Sequence, residues 1–455
     1  MSHMSSIDLP HRRSLIAALV LPLLLAACVG GGGTTPTTTT TVPLVNTNPS
    51  STPTSTPTGT PTTTNTPTGT PTTTNQLESV VYQFGSYVGD GYIATVNEDM
   101  VKGSDGNLYG VTGSGGLNNH GTVFRFDPAT NTETVICNFG SNVADTTQGE
   151  YPSVLIQGSD GKLYGIAVEG GTNNNGVLFS VDPTTSTETV LYSFGKNEVL
   201  TARPGSFLQG NNGVLYFVES NAGATAIASF NLATNTEAVP YTGAAYSANT
   251  PISFLLQGTD GNLYAINYSS GAYNAGALLR FNLSTNTLTT LYSFGAQVTD
   301  PINPYLLIQG SDGNLYGIAM VPGSLNGLAN DVGYLFEFNL STQAFSTYCQ
   351  NFVINGPPSG TFSLIQGGNG LFYSASYLGG ADGNGAVESC DVSTNTMSTL
   401  YSFGTETNDV SMNPVLMLQG ADGNLYGLAG GGLNPGAFST GDGTIFKINL
   451  SNSVN

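Results

Sequence analysis

The sequence predicts an all-β fold: a seven-bladed β-propeller closed by an N-terminal strand and preceded by a signal peptide and a disordered Thr/Pro linker. Three observations predict it. One eight-residue phrase recurs seven times in the 455 residues, four times as Gly-x-Asp-Gly-x-Leu-Tyr-Gly and three times as a close variant of it. The same series of short apolar runs and turn signals follows the copies, and the last copy lacks a strand that a stretch near residue 80 can supply. Such self-similarity is typical of propellers, solenoids and arrays, in which no unit buries its core alone.

Each repeat contains four predicted strands, here named A to D in chain order. In the second copy, apolar and β-branched runs at 154–157, 163–166, 177–181 and 189–194 alternate with Asp-Gly, Gly/Asn-rich and Asp-Pro turn signals. No sustained 3.6-residue apolar period occurs in the repeats, so helices should be minor. Four-stranded sheets repeated radially make a propeller. The tyrosines that mark the seven copies are Tyr109, Tyr164, Tyr216, Tyr264, Tyr316, Tyr373 and Tyr426.

The two ends of the repeat region predict that the ring closes. The final repeat stops after strand C, at 444–449, and has no strand D of its own. Residues 80–85 have the composition of the missing strand and lie before the first repeat. We therefore expect this segment to complete the last blade by pairing with strand C. An open superhelix is the alternative, but it would leave strand edges unpaired at both ends.

The repeat resembles the Gloeo/Verruco tandem repeat of anchored bacterial surface proteins. The residues that carry the resemblance are Tyr-Gly at 109–110, Gly-Gly at 115–116, Gly-Thr-Val-Phe at 121–124 and Tyr-Ser-Phe-Gly at 192–195. The resemblance covers roughly residues 77 to 450, and the third repeat departs most, with Phe217 in place of the glycine after its tyrosine. The resemblance implies a propeller-like fold and a surface anchor, but no established activity.

The amino end predicts export and lipidation. Residues 1–27 combine basic residues, a short apolar run and small residues before Cys28, which describes a secretory signal peptide. The Leu-Ala-Ala-Cys tetrad at 25–28 resembles a bacterial lipobox, which implies that Cys28 is lipidated; an ordinary signal with an incidental cysteine is the alternative. Val29 after this cysteine resembles outer-membrane sorting. We therefore expect a lipid-anchored protein of the outer membrane or cell surface.

Residues 28–75 are predicted to be a linker between the lipidated cysteine and the propeller. The segment is built of Gly, Thr and Pro and duplicates a ten-residue unit, so it offers too little apolar surface to fold. Its prolines favour an extended polyproline II conformation. The propeller domain is then assigned to residues 76–455.

Composition narrows the classes of partner and site. The chain carries 9 Lys and Arg against 29 Asp and Glu, a formal net charge of −20, so nucleic acid is excluded as a partner. His120 is the only histidine after Cys28, which argues against His-based triads and multi-histidine metal sites. There is no Trp to form a sugar platform. No cofactor is predicted, and calcium is the one ion left open.

Two repeated polar residues invite a functional interpretation. The hairpin Asp gives one carboxylate per turn, whereas calcium loops need several oxygen ligands close together, so a structural turn role is predicted. A Gln on strand A should form a polar ring near the central channel, either as hydrogen bonds between blades or as a ligand ring. The glutamines are Gln157, Gln209, Gln257, Gln309, Gln366 and Gln419, with Lys102 at this position in the first blade.

Three cysteines follow Cys28. Cys137 and Cys349 occupy the tyrosine position of strand D in blades 1 and 5, and Cys390 occupies an aromatic position of strand C in blade 6. Because these positions belong to the cores of different blades and the number is odd, the prediction is isolated buried thiols with no disulfide.

The predicted function is binding or scaffolding of a protein or glycan by a surface-exposed lipoprotein. The alternatives are an extracellular carbohydrate-active enzyme that uses an Asp/Glu pair, and a structural surface-layer component. The loops between strands B and C vary most in length and share one predicted face with the crossovers between blades, which favours a site there. The candidate binding residues on the two long loops are Asn326, Asn330, Asp331, Asn434 and Asp442. The oligomeric state stays open.

Overall fold

The structure is a computed structural model that describes residues 77–92, 100–140, 149–195, 206–221, 224–242, 252–322, 332–353, 363–376, 379–405, 414–430 and 443–452. In this part of the chain almost all regular structure is β, and the one helical element is a 3-10 turn at Leu450–Asn452. No helix among these residues is long and apolar enough to span a membrane.

Seven four-stranded antiparallel sheets form the blades. The chain starts with β1 (Glu78–Gln83) and the short β2 (Gly91–Tyr92), which pairs with β5. The strands of blades 1 to 3 follow in chain order. They are β3 (Met100–Lys102), β4 (Leu108–Thr112), β5 (Ser114–Gly115), β6 (Thr122–Asp127), β7 (Thr132–Asn138); β8 (Gly149–Gln157), β9 (Leu163–Gly170), β10 (Val177–Asp182), β11 (Thr187–Ser193); and β12 (Ser206–Gln209), β13 (Val214–Asn221), β14 (Ala224–Asn231), β15 (Thr236–Thr242).

Blades 4 to 7 repeat this order, except that blade 7 has only three strands from its own repeat. Their strands are β16 (Ile252–Gln257), β17 (Leu263–Asn267), β18 (Ala277–Asn282), β19 (Thr287–Ser293); β20 (Ile302–Gln309), β21 (Leu315–Met320), β22 (Val332–Phe338), β23 (Phe345–Val353); β24 (Ser363–Gln366), β25 (Phe372–Ser376), β26 (Ala386–Asp391), β27 (Thr396–Ser402); and β28 (Pro414–Gln419), β29 (Leu425–Ala429), β30 (Thr444–Ile448).

The N-terminal strand closes the ring. β1 pairs antiparallel with β30 as strand D of blade 7, in a register that places Glu78 opposite Ile448 and Gln83 opposite Thr444. The Phe84 amide continues the ladder by donating to the Gly443 carbonyl at 3.0 Å. The innermost strands of neighbouring blades contact each other around the whole circle, including β28 with β3. The predicted seven-bladed fold and its closure are therefore confirmed.

The core is distributed between blades rather than within them. Seven hydrophobic clusters occur in the described residues, and each draws its side chains from two neighbouring blades. The cluster at the closing seam joins Phe84 and Tyr426 of blade 7 to Phe124 and Phe126 of blade 1. Middle strands such as β4 and β29 are buried on both faces, which explains their continuous apolar sequences. Each blade thus depends on its neighbours for burial.

The antiparallel order gives the ring two unlike faces. The hairpins between strands A and B of all seven blades lie at one end, together with the turns between strands C and D of blades 1 to 6; this end is here called the turn face. The loops between strands B and C and the crossovers between blades lie at the other end, here called the loop face. β1 begins at the turn face and ends at the loop face, because it serves as a strand D.

Candidate functional site

The repeated hairpin is held by a hydrogen bond between its first turn and strand B. The tyrosine hydroxyl donates to the hairpin Asp in five blades, as in Tyr264 to Asp260 at 2.7 Å. In blades 3 and 6 the hairpin residue is Asn, and its amide donates to the hydroxyl instead, as in Asn212 to Tyr216 at 2.8 Å. The hydroxyl therefore serves as donor or acceptor, which explains why Asp and Asn are interchangeable here. The predicted structural role of the Asp is confirmed.

The first glycine of the phrase is required by the same tyrosine. A Cβ atom on Gly103 would lie 2.5 Å from the Tyr109 ring, and the other six copies give 2.5 to 2.8 Å. Any larger residue would push the ring away from its hydrogen bond. The repeated phrase is thus explained by the packing of one aromatic ring.

The strand A glutamines link neighbouring blades at the mouth of the central channel on the turn face. Each Oε1 accepts a hydrogen bond from a hairpin amide of the preceding blade, as in Ser104 N to Gln157 Oε1 at 2.7 Å; all six distances lie between 2.6 and 2.9 Å. In five of the six, the Nε2 also donates to a carbonyl of its own hairpin, as in Gln309 to Gly313 at 2.8 Å. The glutamines therefore form the predicted hydrogen bonds between blades.

One seam lacks this link. Between blades 7 and 1 the glutamine position is Lys102, whose ammonium cannot accept a hydrogen bond from the corresponding amide of Ala421. The hairpins still approach each other, since a Cβ on Gly106 would lie 3.7 Å from the Ala421 Cβ. The closing seam is therefore the one inner contact without a glutamine.

The same seam carries an acidic cluster at its outer rim, here called the seam cluster and formed by Tyr82, Ser86, Tyr87, Asp90 and Glu133. Tyr82 donates to Asp90 Oδ2 at 2.7 Å, and the Ser86 amide donates to the same oxygen at 2.9 Å. Tyr87 donates from its hydroxyl to Glu133 Oε2 at 2.9 Å. Asp90 and Glu133 are only 2% and 8% exposed. The cluster joins the segment after β1 to strand β7 of blade 1.

The two carboxyl groups of the seam cluster have raised pKa values. Burial raises the pKa of Glu133 to about 7, and the nearby Asp90 charge adds to the rise. Burial also raises the pKa of Asp90, against the opposing effect of its hydrogen bonds from Tyr82 and the Ser86 and Gly91 amides. Glu133 Oε1, in contrast, has no hydrogen-bond partner. Glu133 is therefore the carboxyl group that holds a proton near neutral pH.

An enzyme that uses an Asp/Glu pair is one of the alternative functions, and the seam cluster contains one Asp and one Glu. The structure brings Asp90 and Glu133 together with raised pKa values, yet both carboxyl groups face tyrosine hydroxyls instead of open solvent. Glycosidases need two carboxyl groups on either side of a bound sugar. In this arrangement the pair is a structural contact. Within the described residues, no group of three or more His, Cys, Asp or Glu side chains is placed to hold a metal ion.

His120 also joins two blades. Its Nδ1 lies 3.0 Å from Glu150 Oε2, and its ring packs against Tyr151 at 5.3 Å between centroids. His120 is in the B–C loop of blade 1, whereas both partners lie on β8 of blade 2. The imidazole therefore anchors a loop on the loop face.

The prediction of isolated cysteines is wrong for two of the three. Cys349 on β23 and Cys390 on β26 form a disulfide, with 5.9 Å between their Cα atoms. Strand D of one blade packs against strands C and D of the next, so the two positions become neighbours although they belong to different repeats. Cys137 is buried as a thiol. The disulfide links blades 5 and 6 covalently.

The two faces differ in their exposed apolar side chains. The exposed large apolar residues in the described part of the chain all lie at the loop face: Tyr87, Val88, Tyr92, Leu117, Phe254, Tyr273 and Val298. Val88 and Val298 lie on crossovers and are 95% and 92% exposed. On the turn face, hairpin and turn side chains bond to their own backbone, as Asn282 does with the Ser284 and Thr285 amides. The loop face is therefore the candidate functional surface.

The sequence-predicted site residues lie outside the described residues. They are Cys28, Asn326, Asn330, Asp331, Asn434 and Asp442. The described ends of their loops do confirm the predicted face, since Met320 and Val332 flank one loop at the loop end of blade 5. The predicted sites themselves stay predictions.

The seam cluster was missed from the sequence, although a signal for it exists. Glu133 lies four residues before the aromatic position of strand D, and Glu78, Glu188 and Glu237 occupy the same place in blades 7, 2 and 3. Tyr192 of blade 2 bonds to Glu237 of blade 3, as Tyr82 of blade 7 lies near Glu133 of blade 1. A glutamate at that spacing thus marks a contact between outer strands.

Comparisons with known proteins agree with the architecture. The sequence model of the Gloeobacter/Verrucomicrobia repeat matches residues 55–229, which confirms the predicted resemblance over this part of the chain. No curated protein gives a significant match. Among solved structures, an oligogalacturonate lyase in complex with manganese is 10% identical with a TM-score of 0.51, covering 82% of this chain and 96% of the lyase. An oligogalacturonate lyase from Vibrio parahaemolyticus is 8% identical with a TM-score of 0.53, covering 81% and 96%. At these identities the likeness shows the fold alone.

Proposed function

We propose that this chain, whose residues 55–229 carry the Gloeobacter/Verrucomicrobia repeat, is an exported bacterial lipoprotein whose propeller binds a protein or a glycan through its loop face. The observation that carries the proposal is the one-sided distribution of exposed apolar side chains. These side chains form two groups, one around blade 1 and one around blade 4, and exposed apolar groups that share one face favour an interaction site there. Here they share a face with the most variable loops.

The chemistry of the loop face suits either class of partner. Tyr92 and Tyr273 each present an exposed ring with a polar tip, a combination that is enriched at protein interfaces and also packs on sugar rings. The chain carries a net charge of −20, so a neutral or cationic partner fits better than an anionic one. On the turn face, by contrast, the polar side chains form their hydrogen bonds within their own turns.

The path of the chain supports display of this face. Leu77, immediately before β1, lies at the turn face, where its carbonyl accepts from the Asn449 amide at 2.8 Å. A tether that runs from Cys28 therefore enters the ring on the side opposite to the exposed apolar residues. A lipid anchor at that cysteine would leave the loop face unobstructed.

The Cys349–Cys390 disulfide supports export. Disulfides form and persist in oxidising compartments outside the cytosol. This observation is independent of the signal peptide and agrees with it.

Lipid attachment is tested by metabolic labelling with a palmitate analogue in a bacterial host that processes lipoproteins. The unaltered chain and the control Val29→Ala should be labelled and should sediment with membranes, whereas Cys28→Ser should lose the label. A label that persists in Cys28→Ser, or a mature N-terminus downstream of Cys28, would contradict the anchor.

Binding is tested on a glycan array and by pull-down, using the full chain. Replacing the loops 321–332 and 430–443 by the short loop 221–225 should remove the binding signal while the thermal unfolding transition is kept. The matched control exchanges the C–D turn 231–236 with 282–287 and should leave binding unchanged. Binding that survives the loop replacement would exclude the two long loops as the site, and turnover of a bound glycan would favour the enzyme alternative.

A further inference from the structure

The innermost strand of blade 4 carries one residue more than the corresponding strand of blade 3. In the pairing of β16 with β17 the register shifts between Ser253 and Leu255, so Phe254 is an extra residue without a partner on β17. In blade 3, β12 pairs with β13 without such a shift. A β-bulge re-aims a side chain, and bulges are over-represented next to active sites. The position of Phe254 is therefore a candidate for ligand contact.

Phe254 also has a backbone conformation that a bulky residue rarely adopts. Its φ is 53°, in the left-handed region. Tyr151 and Asn303 share this conformation, but each precedes a proline and donates its amide to a carbonyl of the preceding blade, at 2.9 and 2.6 Å. No such bond to another described residue holds Phe254. Strained residues of this kind cluster at active sites and ligand clamps.

The side chain of Phe254 lies at the loop-face mouth of the central channel. Its neighbours Ile252 and Leu255 are buried in the core between blades 3 and 4, whereas Phe254 is 37% exposed. Strand β16 contacts the innermost strands of blades 3 and 5, so the side that it leaves open borders the channel. The Leu255 amide donates to Ser206 Oγ on β12 at 2.9 Å, which fixes the bulge against blade 3.

Two further aromatic rings lie at the same mouth. Tyr268 follows β17, and Tyr305 lies on β20, the innermost strand of blade 5. Their rings pack edge to face with 5.0 Å between centroids, and their hydroxyl oxygens lie 3.1 Å apart. Tyr305 donates to Met320 Sδ at 3.1 Å, so it accepts from Tyr268. The half-buried Tyr268 oxygen can in turn accept a hydrogen bond from a ligand.

These groups match a neutral sugar ring. The C–H groups on the face of a pyranose pack on an exposed aromatic ring, and its hydroxyl groups need hydrogen-bond partners beside that ring. Strands β16 and β20 carry no charged side chain, so they offer no partner for a carboxylate or an ammonium group. A mouth framed by strands also admits the end of a sugar chain more readily than the broad surface of a folded protein.

We propose that Phe254, Tyr268 and Tyr305 form a subsite at the loop-face mouth of the channel that binds a neutral hexose residue of a glycan, with the sugar ring stacked on Phe254. The inference rests on the proposed binding function and narrows it to this class of glycan. The bulge holds the Phe254 ring out of the core between blades 3 and 4, where it is available to the sugar.

The subsite is tested with the full chain on an array of cello-, manno- and galacto-oligosaccharides, with oligogalacturonates as the charged comparison, and by calorimetric titration with the neutral oligosaccharide that binds best. Phe254→Ala should weaken this binding about tenfold or more, because it removes the stacking ring. Phe254→Tyr keeps the ring and should bind like the unaltered chain. The control Leu117→Ala removes an exposed apolar side chain of blade 1 and should also bind normally.

Phe254→Gly separates binding from folding, because glycine adopts the left-handed conformation without strain. This variant should lose binding as Phe254→Ala does, while its melting temperature stays at or above that of the unaltered chain. Full affinity in Phe254→Ala, or a preference for oligogalacturonates, would overturn the subsite and leave the proposed function intact. Capture of proteins without any glycan would do the same, whereas the absence of any binding would overturn both.

Discussion

Single polar side chains at recurring positions connect the blades at both the inner and the outer edge of the ring. The inner contacts could be predicted from the sequence, because a Gln repeated once per blade on the innermost strand has few other roles. The outer contacts could not be predicted in the same way. Glu133 stands among threonines in a strand that reads as solvent-exposed, and its burial depends on the segment carrying Tyr87 from another part of the chain.

Lys102→Gln should strengthen the closing seam. The new amide would accept from the Ala421 backbone of the preceding blade and donate to the Gly106 carbonyl of its own hairpin, as Gln309 does with Thr259 and Gly313. We expect the free energy of unfolding to rise by about 0.5–1.5 kcal/mol in urea titration, the usual net value of a hydrogen bond. The reverse change Gln257→Lys should lower it by a similar amount. Destabilisation by Lys102→Gln would show that the lysine has a role that the glutamine lacks.

The free energy of unfolding should fall as pH rises, because Glu133 loses its proton in a buried site. Burial raises its pKa from about 4.5 in the unfolded chain to about 7 in the folded chain, so the folded state binds the proton more tightly. The stabilisation is complete below pH 4.5 and is lost as pH rises through about 7. We expect Glu133→Gln to gain at most about 3 kcal/mol over the unaltered chain at pH 8 and little at pH 4.5. A gain that is equal at both pH values would contradict this assignment.

At the scale of strands, the repeat pattern predicted which residues form each element and how the ring closes. Completion of blade 7 by β1 follows from counting strands, since one apolar segment remains before the first repeat and one strand is missing after the last. The disulfide did not follow from that count. Its two cysteines occupy different strands of different blades, and only the packing of one blade's outer edge on the next brings them together.

Deleting residues 76–86 should destabilise the whole ring. The change removes every backbone hydrogen bond between β1 and β30 and leaves a gap where Phe84 packs on Phe124, with 5.2 Å between ring centroids. Removal of one large core side chain alone costs about 3–5 kcal/mol. We expect a lower melting temperature and a larger hydrodynamic radius. An unchanged melting temperature would contradict closure by β1.

Loss of the disulfide should destabilise the protein without changing its fold. The bond closes a loop with a sequence separation of 41 residues, for which chain entropy gives about 4 kcal/mol as an upper value. Cys349→Ala with Cys390→Ala should therefore unfold at lower urea concentration and become insensitive to reductant. The control Cys137→Ala keeps the bond and should still lose stability when a reductant is added. A double variant as stable as the oxidised protein would contradict the link.

At the scale of the whole molecule, the regular turns and the loops of unequal length lie on opposite faces of the ring. The turn face repeats the same hydrogen-bonded turns in blade after blade, while the loop face carries the exposed apolar residues and the loops of unequal length. The sequence predicted this division from the order of the strands. It could not predict which loop-face residues are exposed, because their exposure depends on how crossovers such as 85–92 fold over neighbouring blades.

The measurement that tests the loop-face account most directly compares two matched double variants in the glycan array and pull-down. Val88→Arg with Val298→Arg places two bulky charges on the loop face at side chains that are 95% and 92% exposed, so folding should be unaffected. Ala129→Arg with Ala233→Arg places the same charges on exposed C–D turns of the turn face. We predict that the loop-face variant loses binding and the turn-face variant keeps it. Binding kept by the first variant, or lost only in the second, would contradict the account.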